Sequence, residues 1–119
     1  MDDQPLESHF LRFGSGLALG LNGRAEQDPS AILHARSCDL SLEAISVQLE
    51  PGLIIHDLPP LLEGDEVLTL QPQLDAVLLV ADGTRTSPAD LNACVRLLEG
   101  QLPILAAILN RGEDAARTR

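Results

Sequence analysis

The stretch AVLLVADGTRTSPADLNACVRLLEGQLPILAAILN, residues 76–110, decides the fold. AVLLVADG, residues 76–83, is apolar without alternation, the mark of a strand buried on both faces. Ser87-Pro88-Ala89-Asp90 then reads as a helix start: Ser87 can cap, Pro88 suits the first helical position, and Asp90 favours the positive end of the helix dipole. Leu91, Cys94, Val95 and Leu98 form its apolar stripe, and Gly100 stops it. LPILAAILN, residues 102–110, is a second buried strand. Strand, helix, strand at this spacing predicts a parallel pair joined by a crossover.

Working outward, LIIHD, residues 53–57, reads as a further short strand that stops at Pro59-Pro60, since proline cannot continue a ladder. Residues 63–72 read as a short amphipathic helix. Asp28-Pro29 starts a helix through Ala35, which Arg36-Ser37-Cys38 interrupts. A second start at Asp39 or Ser41 carries Leu42, Ile45 and Leu49 at helical spacing, and Pro51-Gly52 ends it. GLALGLNG, residues 16–23, holds a strand closed by Asn22-Gly23, with no partner strand directly following. The expected class is α/β: a three-layer parallel sheet of about four strands with flanking helices. Residues 1–13 read as an irregular lead-in, 14–111 as the domain, and 112–119 as a flexible tail.

The composition narrows the function. Hydrophobic residues make up 45% of 119 residues, but there are two Phe and no Tyr or Trp, so the core must be aliphatic. The net charge is −10 and every basic residue is Arg, which disfavours nucleic acid and anionic membrane surfaces. Cys38 and Cys94 form no C-x-x-C pair, and His9, His34 and His56 show no ligand spacing with them. Met1 is followed by acids rather than a signal sequence, and no apolar run reaches the roughly 18 residues of a membrane span. A cytoplasmic location is expected.

Open parallel sheets bind ligands beyond the carboxyl ends of their strands. That rule nominates Asp57-Leu58-Pro59-Pro60, Ala81-Asp82-Gly83-Thr84-Arg85 and Asn110-Arg111. An acid after an apolar strand can hold Mg²⁺ beside a phosphate. On residue chemistry alone the favoured readings are structural: Asp57 as a turn or cap acid, Asn110 as a strand-end turn residue, and His56 as a core histidine.

From Ile54 to Arg111 the chain resembles the tyrosine-kinase-like P-loop ATPases of bacterial capsule and exopolysaccharide biosynthesis (CpsD/CapB type), deviant-Walker relatives of the MinD/ParA group. The residues that carry the resemblance are Asp57-Leu58-Pro59-Pro60, Asp65, Asp75 before VLLV, and Leu109-Asn110. A weaker likeness extends to residue 16, where Asp28 and Ala31 depart from the family's N-P-x-E-L-L segment. The resemblance implies the C-terminal part of such a domain, with ATP and Mg²⁺ as the family's cofactors. It makes Asp57 the Walker B acid acting on Mg²⁺ through water and gives Asp65 a supporting role. Pro59 and Pro60 become the rigid exit beside the nucleotide, Asn110 the reader of the adenine edge, and Arg111 a neighbour at the rim. Asp57-Leu58-Pro59-Pro60 is also similar to Mrp-type ATPases, although Leu61-Leu62-Glu63 stands where Gly-Thr-Gly usually follows.

Two features of that family find no match. A P-loop requires G-x-x-x-x-G-K-[ST]; Gly14, Gly16 and Gly20 lack the spacing, and the sequence has no Lys. The deviant Walker aspartate is also unmatched, and without Tyr the chain cannot phosphorylate itself on tyrosine. The expectation is therefore a domain inactive alone. It would pair with a missing N-terminal half or a membrane-bound polysaccharide co-polymerase, peripheral to the inner membrane through that partner, or self-associate. The alternative is a non-catalytic regulatory or interaction module in exopolysaccharide export.

Overall fold

The computed structural model describes residues 6–21 and 36–112. The chain divides into two compact units, Met1–Ile54 and Ile55–Arg119. The helix expected from Asp28 and the tail beyond Gly112 lie outside the described residues.

In the first unit, a 3-10 turn at Leu6–His9 leads into strand β1, Phe10–Phe13, which pairs antiparallel with β2, Leu17–Gly20. Residues 10–13, expected to be irregular, are thus a strand, and the partner of residues 17–20 precedes it. Gly14-Ser15-Gly16 makes the reversal, with Gly14 at φ +63°, a conformation glycine adopts without a side-chain clash. Phe10 lies opposite Gly20, and its ring edge comes so close that a Cβ there would sit 2.9 Å from it. One of the chain's two aromatic rings thereby covers the bare backbone of an edge glycine.

Helix α1, Arg36–Leu49, follows. Arg36, Ser37 and Cys38, expected between two helices, lie within this one, which begins ahead of the expected start at Asp39 or Ser41. Leu42, Ile45 and Leu49 are half-buried on one stripe, as their spacing requires. The helix stops where Pro51 forbids helical geometry to its predecessor, and Glu50 turns to φ +43°.

The second unit holds α2 (Glu66–Leu70), a 3-10 turn (Gln71–Gln73), β3 (Val77–Asp82), α3 (Pro88–Leu98) and β4 (Ile104–Asn110). β3 and β4 pair in parallel, from Val77 opposite Ile104 to Asp82 opposite Asn110, with one irregularity between Val77 and Leu78. Ser87 caps α3 in both directions: its Oγ accepts the Asp90 N–H at 3.1 Å, and the Asp90 carboxylate accepts the Ser87 N–H at 2.8 Å. Gly100 ends the turn after α3 at φ +73°.

The described residues thus form two sheets of two strands each, one antiparallel and one parallel. The mixed α/β class stands, but the early strand is not a member of the parallel sheet. The strand expected at Leu53–Asp57 is also missing: these residues form no ladder, and Leu53 and Ile55 are each 77% exposed. A strand persists only where its N–H and C=O groups find partners. This run lies between Gly52 and the Pro59-Pro60 pair, and among the described residues no ladder partner takes it up.

The core of the second unit comprises Val67 of α2, Leu98 of α3 and Leu102, with Leu58, Leu61, Leu74, Val77 and Ile104 packed on it. Val77 and Ile104 are the first residues of their strands, so the core gathers at the amino end of the sheet. Leu58 and Leu61 bracket Pro59-Pro60 and tie that rigid segment to the core. Leu98 is 0% exposed; full burial of such a side chain contributes about 1.5–3 kcal/mol. Leu98→Ala is expected to cost about 2–5 kcal/mol by urea unfolding. Leu97→Ala, on the exposed side of the same helix, is expected to cost about 0.5 kcal/mol or less. Equal losses would contradict this placement of the core.

Candidate functional site

The carboxyl ends of β3 and β4 meet at Asp82 and Asn110, which lie opposite each other in the ladder. Beyond them, the Gly83 N–H donates to the Asn110 carbonyl at 2.7 Å. The approach needs glycine, because a Cβ at residue 83 would sit 2.7 Å from the Arg111 carbonyl oxygen.

Asp82 is the hub. Its Oδ1 accepts the Thr84 N–H at 2.9 Å and the Thr84 hydroxyl at 2.6 Å. Its Oδ2 faces Arg111 Nη1 at 3.3 Å. Its backbone N–H donates to Thr86 Oγ1 at 3.0 Å, and its carbonyl accepts the N–H groups of Arg85 and Thr86 at 3.0 and 2.8 Å. The Thr84 hydroxyl and N–H hold the carboxyl below its ordinary value of 3.8 against the opposing effect of desolvation, and the Arg111 and Arg85 guanidinium groups add a smaller lowering. Both carboxylate oxygens are engaged, so Asp82 acts here as an organiser of the loop.

Arg111 stands at φ +56°, in the left-handed region that a residue bearing a Cβ enters only when its surroundings hold it there. Two contacts hold it: its N–H donates to Asn110 Oδ1 at 3.1 Å, and its guanidinium faces Asp82. With Oδ1 so used, the Asn110 amide keeps its NH₂ donors for a ligand. The Arg111 side chain is 67% exposed, leaving most of its guanidinium donors to solvent or a ligand.

The other sequence candidates lie elsewhere in the second unit. Asp57 is exposed on the unpaired run, rather than at the end of a strand. Pro59 and Pro60 are exposed, and the Pro60 carbonyl accepts the Glu63 N–H at 3.0 Å. Asp65 occupies the cap position of α2 without a capping side-chain bond, and its carbonyl accepts the Thr69 N–H at 2.8 Å. His56 is half-buried, and burial pushes its pKa down. The expected edge of three strand ends is thus an edge of two, at Asp82 and Asn110. Among the described residues no group of three His, Cys, Asp or Glu side chains is arranged to hold a metal ion, and no helix is long and apolar enough to cross a membrane.

Sequence reasoning named the stretch Ala81–Arg85 but passed over Asp82 itself. The signal was present: Asp-Gly-Thr after an apolar strand is a carboxylate placed to accept from the backbone two residues on. The Arg111 partner, 29 residues away in sequence, was visible only through the parallel register.

No protein-family model, curated protein or solved structure matches the chain.

The depressed Asp82 carboxyl has a pH signature. A group whose pKa is lower folded than unfolded adds stability above its unfolded value and loses it as pH falls through the folded one. Asp90, lowered by its bonds from Ser87, acts in the same direction. The urea midpoint of the wild type is therefore expected to fall as pH drops from neutral through and below 3.8. Asp82→Asn is expected to fall less steeply, with a lower starting value at neutral pH. Parallel acid limbs would contradict the hub role of this carboxylate.

Proposed function

We propose that the chain is an ATPase-derived module of bacterial exopolysaccharide synthesis that carries the base-side edge of a nucleotide site but no grip for phosphates. The observation that supports this most is the meeting of Asp82, Asn110 and a left-handed Arg111 at the carboxyl edge of a parallel strand-helix-strand unit. In this reading the Asn110 NH₂ donates to an acceptor on the adenine edge, and the Arg111 guanidinium lies at the rim of the base. Pro59-Pro60, pinned by Leu58 and Leu61, gives the adjoining segment a fixed course. Asp57 is the one carboxylate assigned to Mg²⁺, with Asp65 in support. Since Mg²⁺ uses one or two protein carboxylates together with water and substrate phosphates, an exposed Asp57 suits that task only when the phosphates are held from elsewhere.

ATP itself does not fit this chain alone. The sequence offers no Lys and no glycine-rich cradle to balance a triphosphate, and its net charge of −10 opposes one. We infer that a P-loop comes from a partner segment or chain, and that the module works in the cytoplasm or at the inner membrane through a polysaccharide co-polymerase. The second reading, a non-catalytic interaction module for export, draws on the saturated Asp82 carboxylate and the exposed apolar strands. Relationship to Mrp- or ParA-like ATPases is a variant of the first.

Calorimetric titration separates these readings. Mg-ATP added to the isolated chain is expected to bind no tighter than about 1 mM. With a P-loop-bearing N-terminal half present, micromolar binding is expected, weakened at least tenfold by Asn110→Ala. Tight binding by the isolated chain contradicts the missing grip; no binding in the reconstituted pair favours the interaction module.

A further inference from the structure

We propose that the carboxyl edge of β3 and β4 selects 6-oxopurine bases over adenine. This selectivity rests on the nucleotide reading above and names the class of base that the edge takes. Its source is the division between hydrogen-bonding atoms that are already used there and those that are open. The carboxylate and amide oxygens of the side chains are used. Asp82 Oδ1 accepts the Thr84 N–H and hydroxyl at 2.9 and 2.6 Å, and Asp82 Oδ2 faces Arg111 Nη1 at 3.3 Å. Asn110 Oδ1 accepts the Arg111 N–H at 3.1 Å, and the Asn110 carbonyl accepts the Gly83 N–H at 2.7 Å. The donors are in the opposite condition. Asn110 is exposed, and among the described residues its NH₂ meets no protein acceptor. Arg111 commits one terminal nitrogen to Asp82, and its side chain is 67% exposed, so its other N–H groups are open.

An asparagine reads adenine through two bonds, its oxygen accepting from N6 and its NH₂ donating to N7. Here the oxygen is held by the N–H of the next residue, in the turn that sets Arg111 at φ +56°. That bond also fixes which way the amide lies, since an NH₂ in place of Oδ1 would set donor against donor. Adenine therefore brings a 6-amino donor to a surface of donors, and the amino group goes unpaired when the base docks. Hypoxanthine and guanine bring O6 beside N7 instead. Two neighbouring acceptors of this kind are what a guanidinium meets with paired N–H groups, and either one suits the Asn110 NH₂. The edge thus matches a 6-oxopurine at both atoms and adenine at N7 alone.

Amide NMR spectra of the full chain, titrated with inosine and with adenosine, test this. Neutral nucleosides avoid the repulsion between phosphates and a chain of net charge −10. Inosine is expected to move the Asn110 side-chain amide resonances with an apparent affinity about five- to tenfold greater than adenosine. Asn110→Asp keeps an oxygen for the Arg111 N–H and offers a second oxygen in place of the NH₂, so it is expected to reverse the order. The wild-type comparison stands by itself if that variant fails to fold. Adenosine bound as well as inosine by the wild type, or an unchanged order in folded Asn110→Asp, overturns the selectivity and leaves the nucleotide reading in place. Silence of the Asn110 and Arg111 resonances to both nucleosides overturns the selectivity and the base-side reading together.

Discussion

The parallel pairing of β3 with β4 is the constraint on which the second unit depends. Two parallel strands cannot be joined by a tight turn, so the chain must leave the carboxyl end of one and return to the amino end of the other. Residues 83–103 make that return, and α3 is the stiff part of it. Its start is fixed by the reciprocal Ser87–Asp90 bonds and its exit by Gly100. Leu98, fully buried near its end, locks the return against Val67 and Leu102. Because the core gathers at the amino end of the strands, the carboxyl end is left to polar groups.

Those polar groups are coupled through one carboxylate. Asp82 closes its own loop through Thr84 and Thr86 and reaches across to the turn after β4 through Arg111. The left-handed Arg111 would cost free energy in isolation; Asn110 Oδ1, bonded to its N–H, and Asp82 offset that cost. Asn110 stays exposed, and the Arg111 side chain is 67% exposed beside Asp82. A site for the edge of a heterocyclic base needs little more than such fixed donors. A site for a triphosphate needs positive charge and converging backbone N–H groups, which the proposal assigns to a partner.

Much of this was legible in the sequence because α3 and its flanking strands follow local rules. Ser87, Pro88, Asp90 and Gly100 gave the helix its ends, and the apolar runs on either side gave β3 and β4. The first unit was read less well. Residues 10–13 looked irregular because Phe10-Leu11-Arg12-Phe13 has no clean alternation, yet the Gly14-Ser15-Gly16 reversal brings them beside Leu17–Gly20. Leu53–Asp57 misled in the opposite sense: its branched apolar residues suit a strand, but a strand also requires a neighbour, which composition does not reveal. The Asp82–Arg111 contact was hidden for the related reason that register across a parallel pair is a tertiary fact.

What the fold leaves uncovered links structure to function. Leu53 and Ile55 on the unpaired run, Val80 on β3 and Leu105 and Leu109 on β4 stand in solvent in one chain. Parallel strands this apolar normally have both faces covered, and the proposed function assigns the uncovered surface to a partner. Native-state hydrogen exchange on the full chain tests that account most directly. It predicts that amides from Leu78 to Ala81 exchange only with global unfolding, while those from Leu53 to Asp57 exchange nearly as fast as an unstructured peptide until a partner is bound. Equal, strong protection of both segments in the isolated chain would show that the sheet is already complete and would contradict it.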